Sequence, residues 1–214
     1  MIKQTMLTMM VVMLAVSSAW AEVPTADKDG FIPIFNGKDL EGWHIYKNTS
    51  GFKVQDGIIR CEYKGGGEVA FYKGRTFTDF VMEVEWRVSP KGNSGVFLRT
   101  PDCGDPWTQG YEVQISNEQP PRDDAHCTGS IYGYSSVKPR PDETPEQWRM
   151  YEITCKGDVI TVKIDGKLIN TFDQSRSEGN KDKSHTGYVG VQDSHSAAED
   201  TWIEYRSIRV KPLD

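Results

Sequence analysis

The run Phe80-Val81-Met82-Glu83-Val84-Glu85-Trp86-Arg87-Val88 constrains the fold more than any other stretch. In an extended chain Phe80, Met82, Val84, Trp86 and Val88 share one side, and Glu83, Glu85 and Arg87 the other. Successive side chains of a strand point to opposite faces, so this pattern is a strand half in a core and half in water. The alternation recurs in Tyr111-Glu112-Val113-Gln114-Ile115, in Ile160 to Ile164, and around Val189 and Val191. Asp165-Gly166 joins the run ending at Ile164 to Leu168–Phe172, and Asp56-Gly57 precedes Ile58-Ile59. Such dipeptides supply the left-handed residues a tight hairpin needs. A closing strand is expected over Trp202–Val210. No window holds a helical period; Thr144-Pro145-Glu146-Gln147 is the one place where a capped helical turn is expected. Many short strands with turns between them predict an all-β fold, an antiparallel sandwich or barrel.

Composition narrows the partners. The 214 residues carry 25 Lys+Arg against 31 Asp+Glu, a formal net charge of −6, which provides no general field for nucleic acid or anionic membrane. Lys3, the apolar run Met6–Val16 and the small-x-small triplet Ala19-Trp20-Ala21 read in order as a signal peptide over residues 1–21. The run is too short to span a bilayer, so the expectation is a secreted or periplasmic chain of one domain, 22–214, with no membrane span. In an oxidising compartment four cysteines invite bridges. Cys103 and Cys127 both fall in long loops and are the expected pair; Cys61 and Cys155 lie in strand-like runs.

Candidate chemistry clusters in a few places. Gly92-Asn93-Ser94-Gly95-Val96-Phe97-Leu98-Arg99 enters a strand through small residues and ends on an Arg. Strict alternation puts Gly95, Phe97 and Arg99 on one face, where small residues beside an Arg suit close approach of a polar ligand. Glu112 and Gln114 share a face of the next strand, and a hairpin brings Arg99 near Glu112. That pair is either structural or a carboxylate base beside a group that polarises a carbonyl. His195 follows a strand and suits acid–base work or metal ligation. His126 has the same chemistry in a plainer setting. Ser116–Glu143 is a long Pro-rich connection that contains Tyr132, Tyr134, Lys138 and Arg140, and its length points to a role at a site. Asp173–Thr186 reads as a solvated loop. Trp107, Tyr132 and Tyr134 are loop aromatics on which a sugar face can stack. No nucleophile elbow, metalloprotease, phosphate-loop or dinucleotide signature occurs.

Taken in order, several short motifs resemble one family. They are Phe35-Asn36-Gly37-Lys38-Asp39-Leu40 with Trp43, Val54-Gln55-Asp56-Gly57, Asn93-Ser94-Gly95-Val96 with Arg99, and Gly110-Tyr111-Glu112-Val113-Gln114. Thr128-Gly129-Ser130-Ile131-Tyr132, Trp148 with Tyr151, Gly190-Val191-Gln192 and Arg206-Ser207-Ile208 follow. The order resembles the 3-keto-disaccharide hydrolase family, once a domain of unknown function (DUF1080), from Phe31 to Val210. The resemblance implies a concanavalin A-like jelly roll of two antiparallel sheets with a site on its concave face. It implies an oxidised, 3-keto sugar as substrate, cleaved by C2 proton abstraction, elimination and hydration. In that reading Glu112 or His195 is the base. Arg99 with Asn93, or a divalent cation, stabilises the enediolate oxygen. Tyr132 or Lys138 protonates the leaving group or holds the sugar, and Gln114, Gln192 and Trp107 bind substrate. A non-catalytic, lectin-like module is the competing expectation, because jelly rolls serve both purposes.

Overall fold

The computed structural model describes residues 24–47, 51–62, 67–102, 105–118, 120, 122–196 and 200–213. The expected signal peptide and Cys103 lie outside them. Among the described residues thirteen strands, numbered in chain order, form two sheets in which every pairing is antiparallel. The larger runs β11 (Lys167–Asp173), β10 (Val159–Ile164), β9 (Arg149–Lys156), β6 (Phe80–Val88), β13 (Trp202–Pro212), β4 (Ile58–Glu62) and β3 (Phe52–Gln55), with β1 (Ile32–Pro33) paired to β13. The smaller runs β2 (Trp43–Tyr46), β5 (Val69–Tyr72), β12 (Tyr188–Gln192), β7 (Asn93–Thr100) and β8 (Tyr111–Ser116). This is the concanavalin A-like sandwich expected from the sequence.

The core lies between the sheets. Met82, Val84, Ile153, Val162 and Ile208 from the larger sheet meet Val96, Leu98, Val113, Ile115 and Val191 from the smaller. Each such buried side chain contributes about 1.5–3 kcal/mol over its exposed state. Two tyrosines bridge the layers. Tyr151 on β9 donates to Gln114 O of β8 at 2.5 Å. Tyr205 on β13 reaches Gln192 O of β12 at 3.1 Å and Ser94 Oγ of β7 at 2.9 Å. Both hydroxyls are buried, so these bonds replace water that cannot enter.

The outer face of the larger sheet is a ladder of opposite charges. Arg209 pairs with Glu83, Arg206 with Glu85, Lys163 with Glu152, and Glu204 with both Arg60 and Arg87. Arg87 and Arg206 also lie over the Trp148 ring, at 4.8 and 4.2 Å from its centroid.

Two expectations need correction. Residues 144–147 form a turn, with Glu146 at φ 64°, rather than a helical turn. The short helix is instead α1 (Pro106–Gln109), started by Pro106 and closed at Gly110. Asp173–Thr186 is not a plain solvated loop. Gln174 is buried and donates to Lys183 O at 2.7 Å, while Lys183 Nζ sits 4.6 and 4.5 Å from the Tyr111 and Tyr134 ring centroids.

Candidate active site

The smaller sheet turns its other face away from the core, and the pairing register says what lies there. One cross-strand row is Glu112 on β8, Phe97 on β7, Gly190 on β12, Phe71 on β5 and His44 on β2. In the next row Gln114 pairs with Gly95, and Gln192 with Val69 and through it Tyr46. Two glycines at the middle of this floor have a steric purpose. A Cβ on Gly95 would collide with the Glu112 carboxylate, and one on Gly190 with Ala70 O and the Phe71 ring. The missing side chains let Glu112 and Phe71 lie flat across the sheet.

The loop after β8 extends the floor. Ile131 bridges Val113, Tyr132 N donates to Glu112 O at 2.9 Å, and Gln114 N donates to Ser130 O at 3.0 Å. Because Ile131 faces the core with Val113, Tyr132 stands opposite Glu112 on the site face. The Tyr132 hydroxyl accepts from Arg122 Nη1 at 2.8 Å, and its ring meets His126 edge-on with centroids 4.6 Å apart. His126 Nδ1 is 2.7 Å from Asp123 Oδ1, and this bond holds the Asp123 carboxyl below its usual range. His126 thus joins the site edge through its contact with Tyr132.

Glu112 is 3% exposed, and burial pushes its carboxyl up to about 8. Among the described residues no cation is paired with it. With its Nε2 turned toward Glu112, the Gln114 amide donates to Glu112 Oε1 at 3.1 Å and to Ser94 O at 3.2 Å. The Gln114 amide also lies 3.2 Å from Asn93 Oδ1. Asn93 O in turn accepts from His195 N at 3.1 Å. Burial lowers the His195 imidazole from its ordinary value. Glu112, Gln114, Asn93, Gln192 and Tyr132 are thus brought to one face, and the His195 backbone is tied to its edge at Asn93. Buried side-chain atoms without a hydrogen-bond partner gather at this end of the sheet, among them Ser130 Oγ, Gln192 Oε1, Ser194 Oγ and His195 Nδ1. Unpaired buried polar atoms cost free energy unless a ligand meets them. Asp193 adds a buried carboxyl without partners, pushed up to about 7 by desolvation.

Arg99 is not at this face. Tyr188 pairs with Thr100 but Gly190 with Phe97, so Leu98 and Arg99 together oppose one residue of β12. This is a β-bulge, and Arg99 takes φ 51° within it. The extra residue reverses the alternation and sends the guanidinium inward, where it is 0% exposed. There it donates to Thr78 O (2.8 Å), Gly157 O (2.7 Å) and Asp79 Oδ1 (3.2 Å). Its role is to fasten the start of β6 to the β9–β10 turn. Lys138 is also elsewhere: its side chain is 75% exposed, pairs with Asp124 at 2.7 Å, and lines a cleft with Arg140, Arg149 and Asp165. Trp107, on α1 between β7 and β8, packs against Val69, Phe71 and Phe97 of the site face. Cys127 is a free thiol, buried, donating to Asp124 O at 3.3 Å. Its expected partner, Cys103, lies outside the described residues. Among the described residues no three His, Cys, Asp or Glu side chains converge as a divalent cation would require.

Sequence reading missed Tyr46, Val69 and Phe71. The continuous run Val69-Ala70-Phe71-Tyr72 was the available signal: all four are buried, which needs cover on both faces of the strand.

The fold and this face define a concanavalin A-like jelly roll with a polar, partly unsatisfied floor beside aromatic rings. The chain belongs to the 3-keto-alpha-glucoside-1,2-lyase-like family, whose pattern matches residues 30–211. It is 27% identical to the 3-keto-disaccharide hydrolase of Bacteroides thetaiotaomicron, over 88% of this chain and 80% of that protein. A Parabacteroides distasonis protein assigned as a glycosyl hydrolase superposes with TM-score 0.74 at 21% identity, covering 86% of this chain and 99% of that one. The carbohydrate-binding module CBM66 from Bacillus subtilis superposes with TM-score 0.55 at 12% identity, covering 79% of this chain and 95% of that one.

Proposed function

We propose that this protein is an exported enzyme that cleaves the glycosidic bond of 3-keto-glucosides by elimination. A ketone at C3 acidifies the C2 proton. A base takes that proton, the electron pair forms C1=C2, and the C1–O bond breaks with its electrons on the leaving oxygen, which gains a proton. Water then adds across C1=C2, OH to C1 and H to C2, and gives the free 3-keto sugar. Atoms and electrons balance without an external oxidant.

The observation that carries this reading is the buried Glu112 carboxyl, with the Gln114 amide against it. The developing enolate oxygen needs a donor, and Arg99 is withdrawn from the face. A carboxyl whose pKa is raised to about 8 keeps its proton at neutral pH and can donate to that oxygen. Gln114 orients it through the 3.1 Å contact. His195, kept unprotonated by burial, accepts the C2 proton. Tyr132, across from Glu112, serves the leaving oxygen. The apolar run before Ala21 supports export. The likeness to CBM66 favours a second reading, a binding module without turnover.

The test is turnover of a 3-keto-glucoside beside its unoxidised parent. Release of the aglycone from the keto form alone is expected. The rate should fall as pH drops through the lowered pKa of His195, below its ordinary 6.5, and again as pH rises through about 8 where Glu112 ionises. Binding of both compounds with release from neither would leave the module reading.

A further inference from the structure

The site face continues past Glu112 into an apolar bowl. Phe97 stands opposite Glu112, and its ring centroid lies 5.8 Å from that of Phe71, which is 5.7 Å from that of Tyr46. Tyr46, Val69, Phe71, Pro106 and Trp107 line a cavity of about 210 Å³ at the end of this series. Glu112 on β8 and Phe71 on β5 are three strand steps apart, about 14 Å between backbones at 4.7–4.9 Å per step, with the Phe97 ring between them. A ligand reaching from Glu112 past Phe97 to Phe71 is longer than one pyranose ring.

We propose that the bowl is a subsite for a flat aromatic aglycone, the remote end of the leaving group. This rests on the elimination reading for its catalytic end. Size and polarity both support it. An apolar cavity of about 150 Å³ takes benzene, so 210 Å³ holds one ring and part of a second. The hydroxyl inside the lining is already engaged: Tyr46 donates to Asp102 Oδ1 at 2.7 Å, and Asp102 also pairs with Lys73. Lys47 and Asp105 are exposed at the rim. A sugar ring pushed into the bowl would bury hydroxyls facing carbon, which costs about 1–3 kcal/mol for each group left unpaired. An aryl ring meets Trp107, Phe71 and Tyr46 edge-on or face-on without that cost.

The test compares 4-phenylbenzyl and methyl 3-keto-glucosides, whose leaving groups are both alkyl alcohols, and separately measures binding of free 4-phenylbenzyl alcohol by calorimetry. Trp107 is half-exposed on a four-residue helix, so Trp107→Ala should fold, and thermal melting checks this. The expected result is a tenfold or greater fall in the aryl-over-methyl ratio of kcat/KM in Trp107→Ala, with at least tenfold weaker binding of the alcohol. A ratio within twofold of the parent overturns the proposal. So does a Trp107 dependence seen for a 3-keto-trisaccharide but not for the aryl substrate. If no keto-glucoside turns over, the elimination reading fails, while the alcohol titration still decides the bowl.

Discussion

The two outward faces of this sandwich treat charge in opposite ways. On the larger sheet every carboxylate of the ladder has a cation within reach: Glu83 with Arg209, Glu85 with Arg206, Glu152 with Lys163, Glu204 with Arg60 and Arg87. On the smaller sheet Glu112 has an amide, a glycine and a phenyl ring for neighbours. The charged ladder is solvated and satisfied, and it holds its own shape without asking for a ligand. The Glu112 face is dry and incomplete. A carboxyl in that setting keeps its proton, and its free energy improves when a ligand supplies what the fold withholds.

The largest effects should come from breaking that contrast at Glu112. The folded carboxyl has a pKa of about 8 against 4.5 for an unperturbed Glu, so the folded state binds the proton more tightly. Stability is therefore full below pH 4.5 and declines as pH climbs toward 8, by on the order of 5 kcal/mol in total. Glu112→Gln removes the ionisation. Chemical denaturation should find the variant several kcal/mol more stable than the parent at pH 8, with the difference vanishing near pH 4.5. Equal stability at both pH values would mean that Glu112 is paired and charged after all. The same variant sharpens the functional side. Glu112→Ala should cost about 10²–10³ in kcat/KM, as losing one positioned donor does. Glu112→Gln keeps an N–H donor, so it should retain part of the rate and lose the alkaline limb of the pH profile.

Next in size is Arg99. Replacing it with Met removes the buried guanidinium and takes one donor each from the Thr78 and Gly157 carbonyls and from Asp79, which keeps Gly157 N. Removing one partner of a buried ion pair costs about 3–5 kcal/mol, and half-exposed Asp79 moderates this toward the lower figure. Urea denaturation should show that loss, while kcat of the folded fraction stays near that of the parent. A normal melting curve with kcat abolished would return Arg99 to the site.

Arg99 also shows where sequence reasoning stops. The strand alternation was legible, and β6 follows it without exception from Phe80 to Val88. The shared face of Glu112, Gln114 and Gly95 was legible too, because period-2 alternation survives as long as the ladder is regular. One inserted residue at Arg99 reverses the pattern, and nothing in Leu98-Arg99-Thr100 announces a left-handed residue. Gly187 was the hidden clue: a Cβ there would strike Arg99 backbone, so the glycine admits the bulge. Trp107 and Lys138 were equal candidates as loop residues. Only the fold shows that Trp107 joins Phe71 and Phe97, while Lys138 is drawn off by Asp124. Which sheet would carry the site lay beyond periodicity, because both have one polar-reading face. The difference lies in pairing across strands, which is a property of register.

The smallest effects belong to the ladder, and they test whether its satisfaction is inert. Arg206 is 43% exposed and holds Glu85 at one edge of the ladder, over Trp148. Exposed pairs of this kind contribute about 0.2–1 kcal/mol, because solvent screens the attraction and two long side chains lose freedom. A double-mutant cycle on Glu85→Gln and Arg206→Gln should give a coupling in that range, shrinking in 1 M salt as the screening length falls to about 3 Å. Turnover should change less than twofold, since neither side chain touches the other sheet. Glu204 marks the limit of this cheapness. It is 7% exposed and accepts from Arg60 at 2.7 Å and Arg87 at 2.5 Å. Glu204→Gln brings two cations together over Trp202 with their shared counter-charge gone, so it should cost more than the edge pair. If the edge pair costs as much as Glu204, the ladder acts as one network, and its difference from the Glu112 face would be cooperative pairing as well as solvation.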